Sequence, residues 1–197
     1  MEPFEIVCAP YQCYAAPVGT ELPELDADVD VTTDGWVLVG TSGDKNYDDA
    51  GVTVSHTETL STFTPAGSTT PRKAWRTGEV LTIGFTLADL SVDQYALVMD
   101  QAEVTEVAAT TTTAGSKTFE LMRGINVKMY AVVLRGLSPE DESLNAQYQV
   151  PAAYQSGNPA PVFSKNGPAE LAVEFTAFEL TPGVFGQFTA QTPKTGP

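Results

Sequence analysis

The side chains able to do chemistry are few. His56 is the one imidazole in the 197-residue chain, and Cys8 and Cys13 are its two cysteines. His56-Thr57-Glu58 has the H-x-E spacing that opens a zinc deaminase site, where the histidine binds metal and the glutamate moves a proton. The P-C-x-x-C segment that completes such a site is missing. One histidine and two cysteines supply three ligands at most, short of the four of a closed zinc site. A Ser–His–Asp site would need His56 beside an exposed serine, and no G-x-S-x-G turn presents one. Neither a Walker loop nor a G-x-G-x-x-G phosphate cradle occurs. Asp26, Asp28 and Asp30 imitate the start of a calcium loop, but Val31 and Val37 stand where that loop needs Gly and Glu. No pair of carboxylates is set apart for glycoside hydrolysis. The residues therefore predict no catalytic group, no metal and no cofactor. His56 alternates with the apolar side of its segment, which predicts a packed histidine. The thiols read as ordinary residues of an N-terminal strand, and Leu25 to Asp30 as a solvated acidic loop.

Charge is the stronger signal. Ten Lys and Arg against 25 Asp and Glu give a formal charge of −15, the wrong sign for a free-standing nucleic-acid binder. It leaves room for a protein that lets DNA pass without holding it. A hydrophobic fraction of 42% excludes intrinsic disorder. The start, Met1-Glu2-Pro3-Phe4-Glu5, is acidic where a signal peptide would be basic. The longest apolar run, Met129 to Leu134, falls far short of the roughly 20 residues that span a bilayer. These features predict a soluble protein made in the cytoplasm. Three of the ten basic residues, Arg72, Lys73 and Arg76, lie within five positions and flank Trp75. Trp and Arg are enriched at interface hot spots, so this cluster is the candidate contact site, with a mobile surface loop as the plainer alternative.

The elements that must position these residues are mostly short strands, separated by Gly, Pro, Asp and Thr. Thr53, Ser55, Thr57, Thr59 and Ser61 alternate with Val52, Val54, His56, Glu58 and Leu60. Further on, Leu81, Ile83, Phe85 and Leu87 alternate with Val80, Thr82, Gly84 and Thr86. A period of two on both arms predicts strands with one apolar face and one hydroxyl-bearing face. The connection from Phe63 to Arg76 is longer than about a dozen residues, a length common in functional loops. Ser91 with Gln94 is a capping box, and Val92, Tyr95, Ala96 and Met99 form one stripe of a helix ending near Gln101. Strands are expected over Lys117 to Arg123, over Asn126 to Leu137 (covered on both faces), over Ala146 to Tyr154 and over Ala169 to Thr181. In the last, Glu170 and Glu174 face away from Leu171 and Val173. The whole predicts one mainly-β domain over residues 1–197, a sandwich or barrel with one helix packed on a sheet. Residues 1–15 and 182–197 are expected to be terminal arms, because Phe4, Ile6, Val184, Phe185 and Phe188 are unusually apolar for free ends.

The order of several segments resembles the major tail tube proteins of long, non-contractile-tailed bacteriophages. The matching segments are Ala16-Pro17-Val18-Gly19-Thr20, Gly35-Trp36-Val37-Leu38-Val39-Gly40, Asp49-Ala50-Gly51-Val52-Thr53 and Pro71-Arg72-Lys73-Ala74-Trp75-Arg76-Thr77. The strand into Leu87, a following helix and a closing Glu/Phe-rich strand complete the set, so the resemblance covers most of Ala16 to Leu180. It implies hexameric rings of this chain that stack into a tube, with other tail proteins at its tip and terminator. DNA would transit the lumen at infection without specific binding, in a virion tail and away from any membrane. The inner sheet would join its neighbours into a continuous lumen wall, and the long hairpin loop and terminal arms would join ring to ring. Thr53, Ser55, Thr57, Thr59, Thr82, Thr86, Glu170 and Glu174 would then face the lumen. The inter-ring loop would comprise Phe63, Thr64, Pro65, Arg72, Lys73, Trp75 and Arg76, docking on Asp44, Asp48 and Asp49 of the next ring. Six copies would carry about −90, a field that repels phosphate.

Two other classes of function compete. A monomeric β-sandwich on a virion surface could bind sugar or a host protein through Tyr148, Tyr154 and Phe163, with the hydroxyl faces merely solvated. An enzyme would need a deep pocket with convergent polar groups, for which the residues give no constellation.

Overall fold

A computed structural model describes residues 7, 9–25, 35–100, 103–141, 143–165 and 167–193. Cys8, Phe4, Ile6, Gln101, Asp26, Asp28 and Asp30 lie outside the described residues. The chain adopts the expected mainly-β fold, with a large antiparallel sheet and one α-helix. Among the described residues ten strands follow in order: β1 (Gln12–Pro17), β2 (Val37–Leu38), β3 (Thr53–Phe63), β4 (Lys73–Leu87), β5 (Thr105–Val107), β6 (Ser116–Thr118), β7 (Tyr130–Leu137), β8 (Asn145–Gln155), β9 (Leu171–Ala177) and β10 (Gln187–Ala190). The helix α1 (Val92–Val98) lies between β4 and β5, and a 3-10 turn spans Gly43–Asn46.

The main sheet runs β2-β1-β7-β8-β9-β4-β3, with β10 also paired to β8. β8 holds β10 along Ala146 to Gln149 and β9 along Ala153 to Gln155. Pro151 sits between these stretches, opposite the irregularity between Tyr130 and Val132 of β7. Proline has no N–H to give a ladder, so a bulge is where a strand interior tolerates it. That bend lets one long strand serve two neighbours in turn. The sheet curls so that β1 and β7 face β4 and β9. Cys13, Ala15, Val132, Leu134, Ile83, Phe85, Leu87, Leu171, Val173 and Phe175 meet in one core with Val98 of the helix. Each fully buried side chain the size of Phe175 or Ile83 stabilises by about 1.5–3 kcal/mol.

Tyr47 closes the curl. Its hydroxyl donates to Val39 O at 2.8 Å and accepts the Cys13 N–H at 3.1 Å. Its backbone bridges Leu87, and the next amide, Asp48 N–H, donates to Thr86 O at 3.0 Å. Residues 12–15, expected within an N-terminal arm, are therefore β1, a strand with neighbours on both sides. Their apolar character serves the core rather than a partner. Within the expected C-terminal arm, Gln187–Ala190 pairs with β8, and Phe188 stacks on Tyr148 with ring centres 4.4 Å apart.

The covering of β7 on both faces holds. Ala131 and Val133 pack under Trp36 and Leu22, opposite the side that enters the main core. The same loop carries Pro23, whose carbonyl accepts the side-chain amides of Gln147 and Gln149 at 2.8 and 3.0 Å. The capping box is half made. Ser91 Oγ accepts the Gln94 N–H at 3.4 Å, but Asp89 accepts the Ser91 N–H at 2.9 Å. The Gln94 side chain is used elsewhere, accepting from Gly40 N–H at 3.0 Å to tie the helix to the end of β2. The helix stops at Val98, and Asp100 takes a left-handed conformation with φ 60°. Its carboxylate accepts from Tyr130 Oη at 2.8 Å and Lys128 N–H at 2.9 Å. Most of the strand expected over Lys117 to Arg123 is absent: only Ser116–Thr118 pairs, with Thr105–Val107. The Arg123 guanidinium instead turns inward, donating to Val98 O at the helix end and to Gly157 O.

Candidate assembly surfaces

β3 and β4 form a hairpin whose facing residues run from Thr53/Gly84 to Phe63/Lys73, with one irregularity between Thr59 and Leu60. Only its root belongs to the core. Ile83, Phe85 and Leu87 are buried, whereas every residue from Lys73 to Val80 is exposed. Leu60, Phe63, Trp75 and Val80 are 54%, 56%, 45% and 41% exposed. From about Leu81 outward the hairpin is a two-stranded ribbon with solvent on both faces.

This corrects the expected loop. Phe63 ends β3, while Lys73, Trp75 and Arg76 lie in β4, leaving 64–72 as the connection. That connection is held by its own bonds: Ser68 N–H to Pro65 O, and Arg72 N–H to Phe63 O, both at 2.9 Å. One extra residue, Thr77, is accommodated at the irregularity, so pairing continues to the tip. Directly opposed residues share a face. Trp75, Phe63 and Lys73 therefore occupy the hydroxyl-bearing side at the tip, and Leu60 and Arg76 the other.

Charges along the ribbon are partly matched. Glu58 and Glu79 stand opposite each other, a repulsive pair in isolation. Arg76 Nε donates to Glu58, and His56 Nε2 lies 3.0 Å from Glu79 Oε1. The Glu58 hydrogen bond and charge, with Glu79 beyond it, make the Arg76 guanidinium hold its proton more firmly than usual. His56 is not the packed histidine expected. Its side chain is 58% exposed, with the Phe185 ring edge-on at 6.5 Å. The alternation did place it on the core-side face, but the ribbon leaves the core at its cross-strand partner Leu81. Arg72 and Lys73 have no ion-pair partner among the described residues.

The hydroxyl-bearing residues do come together. Thr53 faces Gly84, which faces Glu174; Ser55 faces Thr82, which faces Thr176; Thr86 faces Ala172. Across β3, β4 and β9 this is one exposed or half-buried face of small polar side chains. Thr57 and Thr59 continue it along the ribbon, and Glu170 stands exposed just before β9. Glu174 is fixed by Ser156 Oγ, which donates to it at 2.7 Å, and Thr176 Oγ1 donates to Ser156 at 2.8 Å. Ser156 is a member that strand alternation could not reveal, because it follows β8 and reaches this face only through the fold. The outer edge of β3 has no strand beside it among the described residues.

Asp44, Asp48 and Asp49 gather at the hairpin root. Asp44 accepts from Gln12 Nε2 at 2.9 Å, Asp48 from the Ala50 N–H at 3.1 Å, and Asp49 is exposed. They border a cleft of about 460 Å³ with Pro10, Tyr11 and Val52. Tyr11 is seated by its hydroxyl, which donates to Leu137 O at 3.0 Å, and by Gly136. A Cβ at Gly136 would come within 2.1 Å of the Tyr11 ring. From Thr86 at the root to Arg72 at the tip is a run of strand roughly 45 Å long at ~3.3 Å per residue.

The aromatics of the competing binding reading do not gather. Tyr148 is covered by Phe188 and Tyr11, Tyr154 lies six residues further along β8, and Phe163 is 78% exposed on a separate loop. A further apolar surface, Leu121, Met122, Ile125 and Val127, lies on the irregular segment after β6. The sequence predicts strands through Leu121, Met122 and Val127, and these residues lie in none. Among the described residues no group of three metal-ligating side chains occurs, and no helix is long and apolar enough to cross a membrane. No protein-family model matches this chain, and neither does any curated protein.

Proposed function

We propose that this chain is the repeating subunit of a tail tube of the non-contractile phage type. Six copies close a ring, rings stack, and DNA passes through the lumen of the assembled virion tail. Other tail proteins meet the tube at its ends. The observation that carries this reading is the β3–β4 ribbon, exposed on both faces and bearing Leu60, Phe63, Trp75 and Val80. A two-stranded ribbon is marginal in water without a third layer, and an exposed apolar set of this kind marks a partner surface. The polar face of Thr53, Ser55, Thr82, Thr86 and Glu174 supports the lumen assignment, since it offers DNA neither cations nor apolar grip. A formal charge of −15 per copy acts in the same direction.

The test is negative-stain microscopy with light scattering of purified protein over rising concentration. Rings or striated tubes with a central hole are expected. A monomer at every concentration that bound glycans would overturn the reading in favour of a surface-binding module.

A further inference from the structure

We propose that the outer half of the β3–β4 ribbon is a two-register switch. Its extra residue, Thr77, moves between the strand and the tip connection, and so carries Trp75 and Lys73 from one face to the other. In the observed register Thr59 pairs with Gly78 and Leu60 with Arg76, which leaves Thr77 over. Trp75 then stands opposite Ser61, and Lys73 opposite Phe63. In the second register pairing continues unbroken past Thr59. Thr77 comes to face Leu60, Arg76 faces Ser61, and Trp75 faces Thr62. A one-residue slip turns every side chain of the slipped stretch over. Trp75 and Lys73 thereby join the side of Leu60, and Arg76 crosses to the side of Phe63.

No buried side chain opposes the exchange. Register is firmly specified where one face of a strand is covered, and every residue from Leu60 to Thr77 is exposed or half-buried and outside the core. The inner half differs: Ile83, Phe85 and Leu87 sit in the core and pair with β9, so the slip is confined to the tip side of Thr59. Outside the ladder itself, the observed register is held by exposed bonds. Arg76 Nε donates to Glu58, Thr77 Oγ1 to Thr59 O at 3.1 Å, and Arg72 N–H to Phe63 O at 2.9 Å. Water screens the ion pair. The residue released from the strand lengthens the connection from 64–72 to 64–73, and closure cost grows only slowly with length. The two pairings are therefore close in free energy, and a partner that grips Trp75 on either face selects one of them. Contact on one face of the ribbon thus changes what the other face presents.

Disulfide trapping in the full chain tests the switch. Ser61→Cys/Trp75→Cys bridges the observed register, and Thr62→Cys/Trp75→Cys bridges the second. Oxidised glutathione drives closure, and mass spectrometry of the digest separates these bridges from any made by Cys8 or Cys13. The first pair is expected to close fastest, and the second about ten- to a hundredfold more slowly, as for a minor state of a few per cent. Deleting Thr77 leaves bulge-free pairing with position 75 still opposite Ser61. It is expected to slow the second pair at least about tenfold further and to spare the first. An alanine inserted between Thr59 and Leu60 removes the bulge from the other strand, and replaces the deletion if Trp36 fluorescence shows that the deletion unfolds the chain. Arg76→Gln gives up the bond to Glu58, which exists only in the observed register, and is expected to speed the second pair about threefold. Closure of the second pair that removing the bulge leaves unchanged, or that Arg76→Gln does not raise, overturns the switch. Either result leaves the tube reading standing, because the switch belongs to the single subunit.

Discussion

If the ribbon serves assembly rather than folding, trimming it should leave the subunit standing. Consider joining Thr59 to Gly78, which face each other in the hairpin, through Asn-Gly, a dipeptide suited to a tight hairpin turn. The excised residues, Leu60 to Thr77, are all exposed except Ser61, Pro65 and Ser68, which are half-buried. None belongs to the core. Losing the Arg76–Glu58 pair costs little, because an exposed ion pair is screened by water. A shorter connection recovers a little loop-closure entropy. The balance should stay within about 0.5–1 kcal/mol of wild type, as for other surface changes. Ile83→Ala on the same strand provides the contrast: Ile83 is 2% exposed, and a truncation there costs about 2–5 kcal/mol. Urea unfolding can be followed by the fluorescence of Trp36, which is buried at 2% exposure and survives the deletion. With m near 1–3 kcal/mol/M, the trimmed protein's midpoint should move by less than about 1 M, while stacking is abolished. A loss of more than about 2 kcal/mol on trimming would refute the reasoning, since the ribbon would then be part of the folding unit.

Other outcomes follow from the closure of the sheet and its buried protons. Tyr47→Phe strands the Cys13 N–H and the Val39 carbonyl, and should lower stability by about 1–3 kcal/mol in denaturant titration. Burial pushes the Cys13 thiol up from 9.0, and the Tyr47 hydroxyl up from 10.0 with help from Cys13. Burial likewise raises Tyr130, reinforced by its bond to Asp100. The unfolded chain releases these protons near pH 9 to 10 while the fold retains them. The contribution of these three groups is therefore full below about pH 9 and falls as pH rises beyond it, so the melting temperature should decline on the alkaline side. Cys13, fully buried and protonated, should resist maleimide in the folded protein and react once urea unfolds it, as mass spectrometry would show. Gln94→Leu should free α1 from β2 and raise amide exchange at Gly40, which loses its acceptor.

Absence of catalytic spacing, an acidic balance and strands of period two were legible in the residues themselves, because each depends only on composition and local order. Ile83, Phe85 and Leu87 alternate with small polar residues, and that pattern by itself places them in a half-buried strand. The Thr/Ser face on β3 and β4 was legible for the same reason. The pairing that joins it to the Glu170/Glu174 side of the last strand was not: β9 lies beside β4 although the two are far apart in the chain, and Ser156 is added through Glu174 and Thr176. The ribbon's outer half hid its strand character, since a strand solvated on both faces has no apolar side to repeat. Residues 73–76 thus resembled loop. His56 shows the converse, a correct face assigned to the wrong environment, because alternation gives orientation and only the packed neighbours determine depth. The gathering of Asp44, Asp48 and Asp49 beside Tyr11 depends on the Tyr47 bridge to Leu87, and so on where the curled sheet meets itself. Sequence fixes which side chains a strand offers to each face; three-dimensional packing decides which faces are covered, which project, and what stands opposite them.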